Sequence, residues 1–278
     1  MNRPFPLILP LLAVLILPGF AQGSAGLSII VEENNGSVTI IRCKGFVKEV
    51  AIPAEINGMP VTAIGDYAFA KKDLTSVTIP DSVTAIGKGA FAENQLTEVV
   101  IGDNVTSLGR GAFAGNRLAK VTIGKGLAVI PRGCFQVNFL TAVEIPATVT
   151  AIEDYAFFSN RLAAIDIPAA VSAIGEGAFA GNRITSLTIG DGVAKIGDGA
   201  FYNNELNRIT IPGGVQEVGR RAFNNKPKGS AFASRVNYYD TRENLLFSTD
   251  ASFDTYYNSQ GKKSGTYSYA GGAWSLSG

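Results

Sequence analysis

Few side chains in this sequence could do chemistry. Its 278 residues contain no histidine, which removes Ser-His-Asp and Cys-His nucleophilic catalysis together with the commonest zinc ligand. The two cysteines are Cys43 and Cys134, too far apart in the repeat described below for a disulfide, and both read as buried, inert thiols. The acidic pair to consider is Glu144 and Asp166, 22 residues apart. Two neighbouring carboxylates could hold a cation or a basic partner. They could hydrolyse a glycoside only in a sugar cleft that fixes them about 5–9.5 Å apart.

The glycine pairs Gly87-Lys88-Gly89 and Gly197-Asp198-Gly199 are not phosphate loops, because no following Lys and helix accompany them and they recur at a fixed interval. They read as turn glycines. No cofactor or metal is expected, and an enzymatic role is not.

The elements that position these residues come from that interval. Ala68-Phe69, Ala90-Phe91, Ala112-Phe113, Cys134-Phe135, Ala156-Phe157, Ala178-Phe179, Ala200-Phe201 and Ala222-Phe223 are eight copies at an unbroken 22-residue spacing. Apolar columns keep the same register, among them Leu74, Leu96, Leu118, Leu140, Leu162, Ile184 and Leu206. The unit reads Leu-x-x-Val-x-Ile-(Pro/Gly)-x-x-Val-x-x-Ile-Gly-x-x-Ala-Phe-x-x-Asn-x, which is the signature of a solenoid.

Alternation over Val-x-Ile predicts one short strand per coil, ended by Pro or Gly. A lone coil cannot bury its apolar edge; stacking coils about 4.8 Å apart pairs the strands in parallel and merges the columns into one core. The Asn column, Asn94, Asn116, Asn138, Asn160, Asn182 and Asn204, is expected to satisfy buried turn backbone.

These repeats resemble the BspA-like leucine-rich repeat family of bacterial surface proteins. The resemblance covers residues 36–226, with Val50-Ala51-Ile52-Pro53 and Ile56-Asn57-Gly58-Met59-Pro60-Val61 similar to that family's longer opening coil. It implies a β-rich solenoid: a right-handed leucine-rich-repeat superhelix of eight 22-residue-type coils, plus a short C-terminal β hairpin module. It also implies adhesion to host matrix or to other cells.

The expected organisation is a signal peptide over 1–25, an N-terminal β cap over 26–46, the solenoid over 47–226 and a Ser/Tyr/Gly-rich cap or tail over 227–278. The signal rests on Arg3, the apolar run from Leu7 to Leu17 and small residues at Gly19-Phe20-Ala21. Pro10 and Pro18 and the shortness of the run argue against a membrane-spanning helix, which needs about 20 apolar residues, and no later stretch could span. Removing Arg3 leaves 23 basic against 23 acidic residues, so no basic nucleic-acid footprint exists. In the tail, Phe253-Asp254-Thr255-Tyr256-Tyr257-Asn258, Gly265-Thr266-Tyr267-Ser268-Tyr269 and Trp274-Ser275-Leu276 suggest a hairpin that closes the last coil.

Outward-facing strand residues form the column Thr78, Val100, Thr122, Glu144, Asp166, Thr188 and Thr210. With Thr122 and Thr188 beside the acidic pair, this column is the expected ligand-facing surface. Departures from the repeat consensus, Pro131, Cys134, Gln136, Val137, Phe139, Glu144, Phe158 and Asp166, crowd into the fourth and fifth coils. Exposed Phe139 and Phe158 beside charges would suit a protein contact, unless the two rings pack on each other. A turn column sorts by sign, Lys88, Arg110 and Arg132, then Asp154, Glu176 and Asp198, then Arg220.

The expected function is that of an exported binding protein, secreted, surface-associated or periplasmic, holding an extracellular protein or glycan through the concave face. The alternative is a non-catalytic structural or scaffold protein of the cell envelope. The two differ in whether the chain self-associates without ligand.

Overall fold

The structure, a computed structural model, describes residues 28–46, 48–206 and 208–223, together with the backbone strands Leu12–Ile16, Val236–Tyr239, Leu245–Thr249, Thr266–Ala270 and Ala273–Ser277. It is a parallel-strand β-solenoid of eight turns, with no helix among the described residues. Asn35 and Gly36, at φ 47° and 82°, form the two-residue turn of the hairpin Ser28–Asn34/Ser37–Lys44. Asn-Gly suits that turn because both central residues need positive φ. The hairpin lays Ser37–Lys44 parallel to Met59–Ile64 and so covers the first coil.

Leu12–Ile16, inside the segment read as a signal, runs antiparallel to Ser28–Asn34. Arg3 and the Gly19-Phe20-Ala21 positions lie outside the described residues. At the other end Val236–Tyr239 adds parallel to Arg208–Thr210, so the strand that extends the last coil lies upstream of the expected hairpin. The hairpin itself is Thr266–Ala270/Ala273–Ser277. The stretch Phe253 to Asn258 lies outside the described residues.

Beyond the single strand expected, the coils carry a second, shorter one, except that in the coil over 142–152 only the short strand Ala151–Ile152 forms. After the Val-x-Ile strand, such as Glu98–Ile101, comes a two-residue strand such as Ser107–Leu108. Two residues are too short for alternation to register in a sequence, and only the neighbouring coil's ladder fixes them. The short strands form a ladder from Met59–Ile64 through Ala85–Ile86 to Ser107–Leu108, and a second from Val129–Ile130 to Glu217–Val218.

The interruption between these ladders has a cause in Pro131. The residue at that place in other coils donates its backbone N–H to the preceding coil, as Gly87 does to the Ile64 carbonyl and Gly109 to the Ile86 carbonyl, both at 2.7 Å. Proline has no N–H to donate.

Core packing is columnar. All eight repeat phenylalanines are fully buried and stack in sequence, with centroids 5.3 Å apart at Phe69/Phe91 and 5.8 Å at Phe113/Phe135, the widest step. Beside them each column asparagine bridges two coils. Asn138 donates from Nδ2 to the Phe113 and Phe135 carbonyls at 3.0 and 3.1 Å and accepts from the Leu118 N–H at 3.0 Å. Asn94, Asn116, Asn160, Asn182 and Asn204 repeat the pattern. Side-chain amides thus satisfy backbone groups that the turns leave unpaired in the interior.

Both thiols are free and buried. Burial pushes Cys43 from 9.0 up to about 11, against a small opposing effect of Lys72. Burial raises Cys134 further, with backbone hydrogen bonds at Phe113 and Ala112 opposing. A folded value above the unfolded one means that the stabilisation is complete below the unfolded pKa and is lost as pH rises through the folded value. Thermal melting is therefore expected to weaken between pH 9 and 11, and a Cys43→Ala/Cys134→Ala variant should lose that dependence. Ellman's reagent at pH 8 should label neither thiol until the chain is denatured.

Candidate functional site

The outward column sits where alternation placed it: Thr78, Val100, Thr122, Glu144, Asp166 and Thr188 are exposed and Thr210 is half-buried. Its rungs are joined in twos. Glu49–Ala51 pairs with Ser76–Thr78, Glu98–Ile101 with Lys120–Ile123, and Ala164–Ile167 with Ser186–Ile189. Among the described residues, the rung over 142–145 joins no neighbour on either side and is not assigned as a strand.

A cleft of about 730 Å³ opens at this rung. Val100 and Thr122 line one side and Glu144 and Pro146 the other, with Lys120 and Lys125 at its edges. Lys120 stands opposite Glu98 across the ladder, an attractive cross-strand pairing of charge, and Asp103 accepts the Lys125 N–H at 2.9 Å. Val100 is 61% exposed, an apolar patch ringed by both signs of charge.

Of the sequence-predicted site residues, the cleft brings together Thr122 and Glu144. Asp166 and Thr188 face each other on the next pair of rungs, as ladder partners. Glu144 lies on the unpaired rung and Asp166 on the next, so no ladder holds the acidic pair together. No group of three or more Cys, Asp or Glu among the described residues is placed to hold a metal ion.

Phe139 and Phe158 are 40% and 37% exposed but have separate partners. The Arg161 guanidinium lies 4.1 Å from the Phe139 ring centroid, and Phe158 meets Tyr155 edge to face at 5.9 Å. They occupy different turn columns: the Phe139 N–H bonds to the Leu118 carbonyl, whereas the Phe158 carbonyl accepts from Val137.

Val137 itself holds φ at 55°, a left-handed conformation that a β-branched residue adopts only under strain. Gly115 and Gly181 hold the same position one coil before and two coils after, at φ 66° and 72°. Val137→Gly is therefore expected to raise stability by about 1 kcal/mol, relief of left-handed strain outweighing the lost backbone restriction. Urea denaturation reads this directly.

The sign-sorted turn column also does structural work that charge alone did not reveal. Asp66, Asp154 and Asp198 accept the backbone N–H of Lys88, Glu176 and Arg220, one coil on, at 2.7, 2.9 and 2.8 Å. Arg132 and Asp154, oppositely charged neighbours where the column changes sign, form an ion pair at 3.6 Å.

These features, an Ala-Phe stack, an asparagine column and two parallel ladders at a 22-residue interval, coincide with a family match. The family model described as a BspA type leucine rich repeat region matches residues 62–183 and 172–249, in six copies. The chain belongs to the BspA-type leucine-rich repeat family.

Among solved structures it is similar to a leucine-rich cell surface protein of Faecalibacterium prausnitzii, at 28% identity over 73% of each chain with a TM-score of 0.46. It is similar also to a leucine-rich repeat protein of Bacteroides ovatus, at 20% identity over 69% of this chain and 66% of that one, TM-score 0.48. A third is the pneumococcal vaccine antigen PcpA, at 15% identity over 74% and 78%, TM-score 0.32. A search of curated proteins finds no match. As a BspA-type repeat chain its recognisable architecture is that of a repeat scaffold, and no helix among its described residues is long and apolar enough to cross a membrane.

Proposed function

We propose that this BspA-type protein is exported and acts outside the cytoplasm as a non-catalytic binding rod, holding an extracellular protein or glycan along the face of its longer strands. The observation that carries this reading is the unpaired rung over 142–145 and the cleft beside it. Backbone N–H and C=O groups left without ladder partners, next to an exposed valine and flanking charges, give an extended partner both hydrogen bonds and apolar contact. Thr122 and Glu144 contribute side-chain contacts at the centre, Asp166 and Thr188 extend the face toward the C-terminus, and the exposed Phe139 and Phe158 add contact area at the turns.

Solid-phase binding of residues 26–278 to matrix proteins and mucins tests this. A Val100→Asp/Thr122→Asp variant should lower affinity at least tenfold, or about 1.4 kcal/mol, whereas Phe139→Ala/Phe158→Ala should lower it less. Absence of saturable binding to every surface, together with concentration-dependent self-association, would replace this reading with that of an envelope scaffold.

A further inference from the structure

A second recess lies on the turn side of the solenoid, on different columns from the strand face. It encloses about 490 Å³, within the range of about 300–1,000 Å³ typical of small-ligand sites. Two aromatic side chains bound it along the axis: Phe158, and Tyr202 at the same repeat position two coils later. That position is alanine at Ala70, Ala92, Ala114 and Ala180, so the chain departs from its own repeat on both walls while keeping Ala180 between them.

The floor is backbone. Gly177 lies beneath the Tyr155 ring, where a Cβ would come within 2.6 Å of the Tyr155 Cε1, and it holds φ at +56°. A side chain there would have to displace the Tyr155 ring, so glycine leaves the floor open beneath it. The Tyr155 hydroxyl donates to Glu176, a bond that raises the tyrosine pKa and fixes the ring.

Two coils at about 4.8 Å each separate the walls by about 10 Å. A saturated six-membered ring with about 3.5–4.0 Å to an aromatic neighbour on each side does not exceed that span. The rim holds Glu176, Asp198, Arg220 and Arg221, two carboxylates against two guanidiniums. Asp198 already accepts the Arg220 N–H at 2.8 Å and lies 3.9 Å from its Nε. The rim therefore has no net negative field to draw a cation between the rings, although aromatic walls alone would suit one. It offers instead both acceptors and donors around an apolar slot.

We propose that this slot binds a neutral sugar ring of a glycan chain, its C–H face against Phe158 and Tyr202 and its hydroxyls on the Glu176 carboxylate and the Arg221 guanidinium. This site shares Phe158 with the strand-face reading but neither Val100 nor Thr122, so Val100→Asp/Thr122→Asp should leave it intact, and Tyr202→Ala separates the two.

The test is titration of the full mature chain with a panel of neutral hexose and N-acetylhexosamine oligosaccharides, read by saturation-transfer NMR and tyrosine fluorescence. A Phe158→Ala/Tyr202→Ala variant, which restores the repeat's own residue at both walls, should melt like the parent and lose at least tenfold in affinity. Tyr202→Phe, which keeps the ring, should stay within about threefold of the parent. Absence of binding by every oligosaccharide overturns the proposal, as does binding that the double variant retains. Capture of choline or a trimethyllysine peptide in place of the sugars would overturn it in favour of a cation cage.

Discussion

Phe157→Ala is expected to destabilise the protein by about 4 kcal/mol, a large part of the roughly 5–15 kcal/mol that holds a domain folded. Phe157 is fully buried and stacks between Phe135 at 5.4 Å and Phe179 at 5.3 Å, so truncation removes contacts on both sides. The neighbours are held by their own coils and cannot collapse into the space, which places the cost toward the upper end of such substitutions. Solenoid stability is a chain of nearest-neighbour terms, so a gap at this coil should also uncouple the two ends. Guanidinium denaturation should therefore show two transitions, or one with a reduced slope. A single transition of unchanged slope and less than about 1.5 kcal/mol of loss would show that the stack does not couple the coils.

Asn138→Ala should cost about 3 kcal/mol with a different origin. Its Nδ2 shares the Phe113 carbonyl with Asn116 and the Phe135 carbonyl with Asn160, at 3.1 and 2.9 Å. Those two carbonyls keep one partner each in the variant. The Leu118 N–H loses the Asn138 Oδ1 that it donates to at 3.0 Å, and an unsatisfied buried donor costs about 1–3 kcal/mol beyond the bonds themselves. Asn138→Asp keeps that acceptor but turns the donor into a second acceptor facing two carbonyls. It should be at least as damaging at neutral pH and should recover partly in acid, where the carboxyl regains a proton to donate. A loss under 1 kcal/mol for Asn138→Ala would mean that water replaces the amide.

The repeat made the fold legible because the same constraint is written eight times. Ala-Phe at 22 residues, Val-x-Ile and the asparagine column each correspond to an observed column. The second strand was not legible, since Ala85–Ile86 and Ser107–Leu108 are defined by hydrogen bonds to other coils and not by a pattern of their own. The central coils were marked by Pro131, Val137 and Glu144, yet the meaning of each required the neighbouring coil: Pro131 as a missing donor, Val137 as a left-handed residue in a glycine position, Glu144 as the edge of a cleft. Tyr155 and Tyr202 escaped notice. One looks like an ordinary turn residue until Gly177 is found beneath it, and the other gains meaning only with Phe158 across the gap.

The two seams flanking the Phe135 coil respond differently to bending. Between Phe113 and Phe135 the short-strand ladder is interrupted before Pro131, while Glu98–Ile101 stays paired with Lys120–Ile123. Between Phe135 and Phe157 the reverse holds: Val129–Ile130 pairs with Ala151–Ile152, and the rung over 142–145 is loose. At both seams the turn side remains tied, by Phe113 N–H to the Cys134 carbonyl at 3.0 Å and Phe135 N–H to the Ala156 carbonyl at 2.9 Å. Opening the first seam on its short-strand side, or the second on its long-strand side, breaks no ladder bond. Long-strand gaps recur between Ser76–Thr78 and Glu98–Ile101 and between Ser186–Ile189 and Arg208–Thr210, but the short-strand ladder is broken at the seam between Phe113 and Phe135 alone. Two adjoining hinges that open on different faces act as a universal joint, so bending under tension or shear is expected to begin at the middle of the rod.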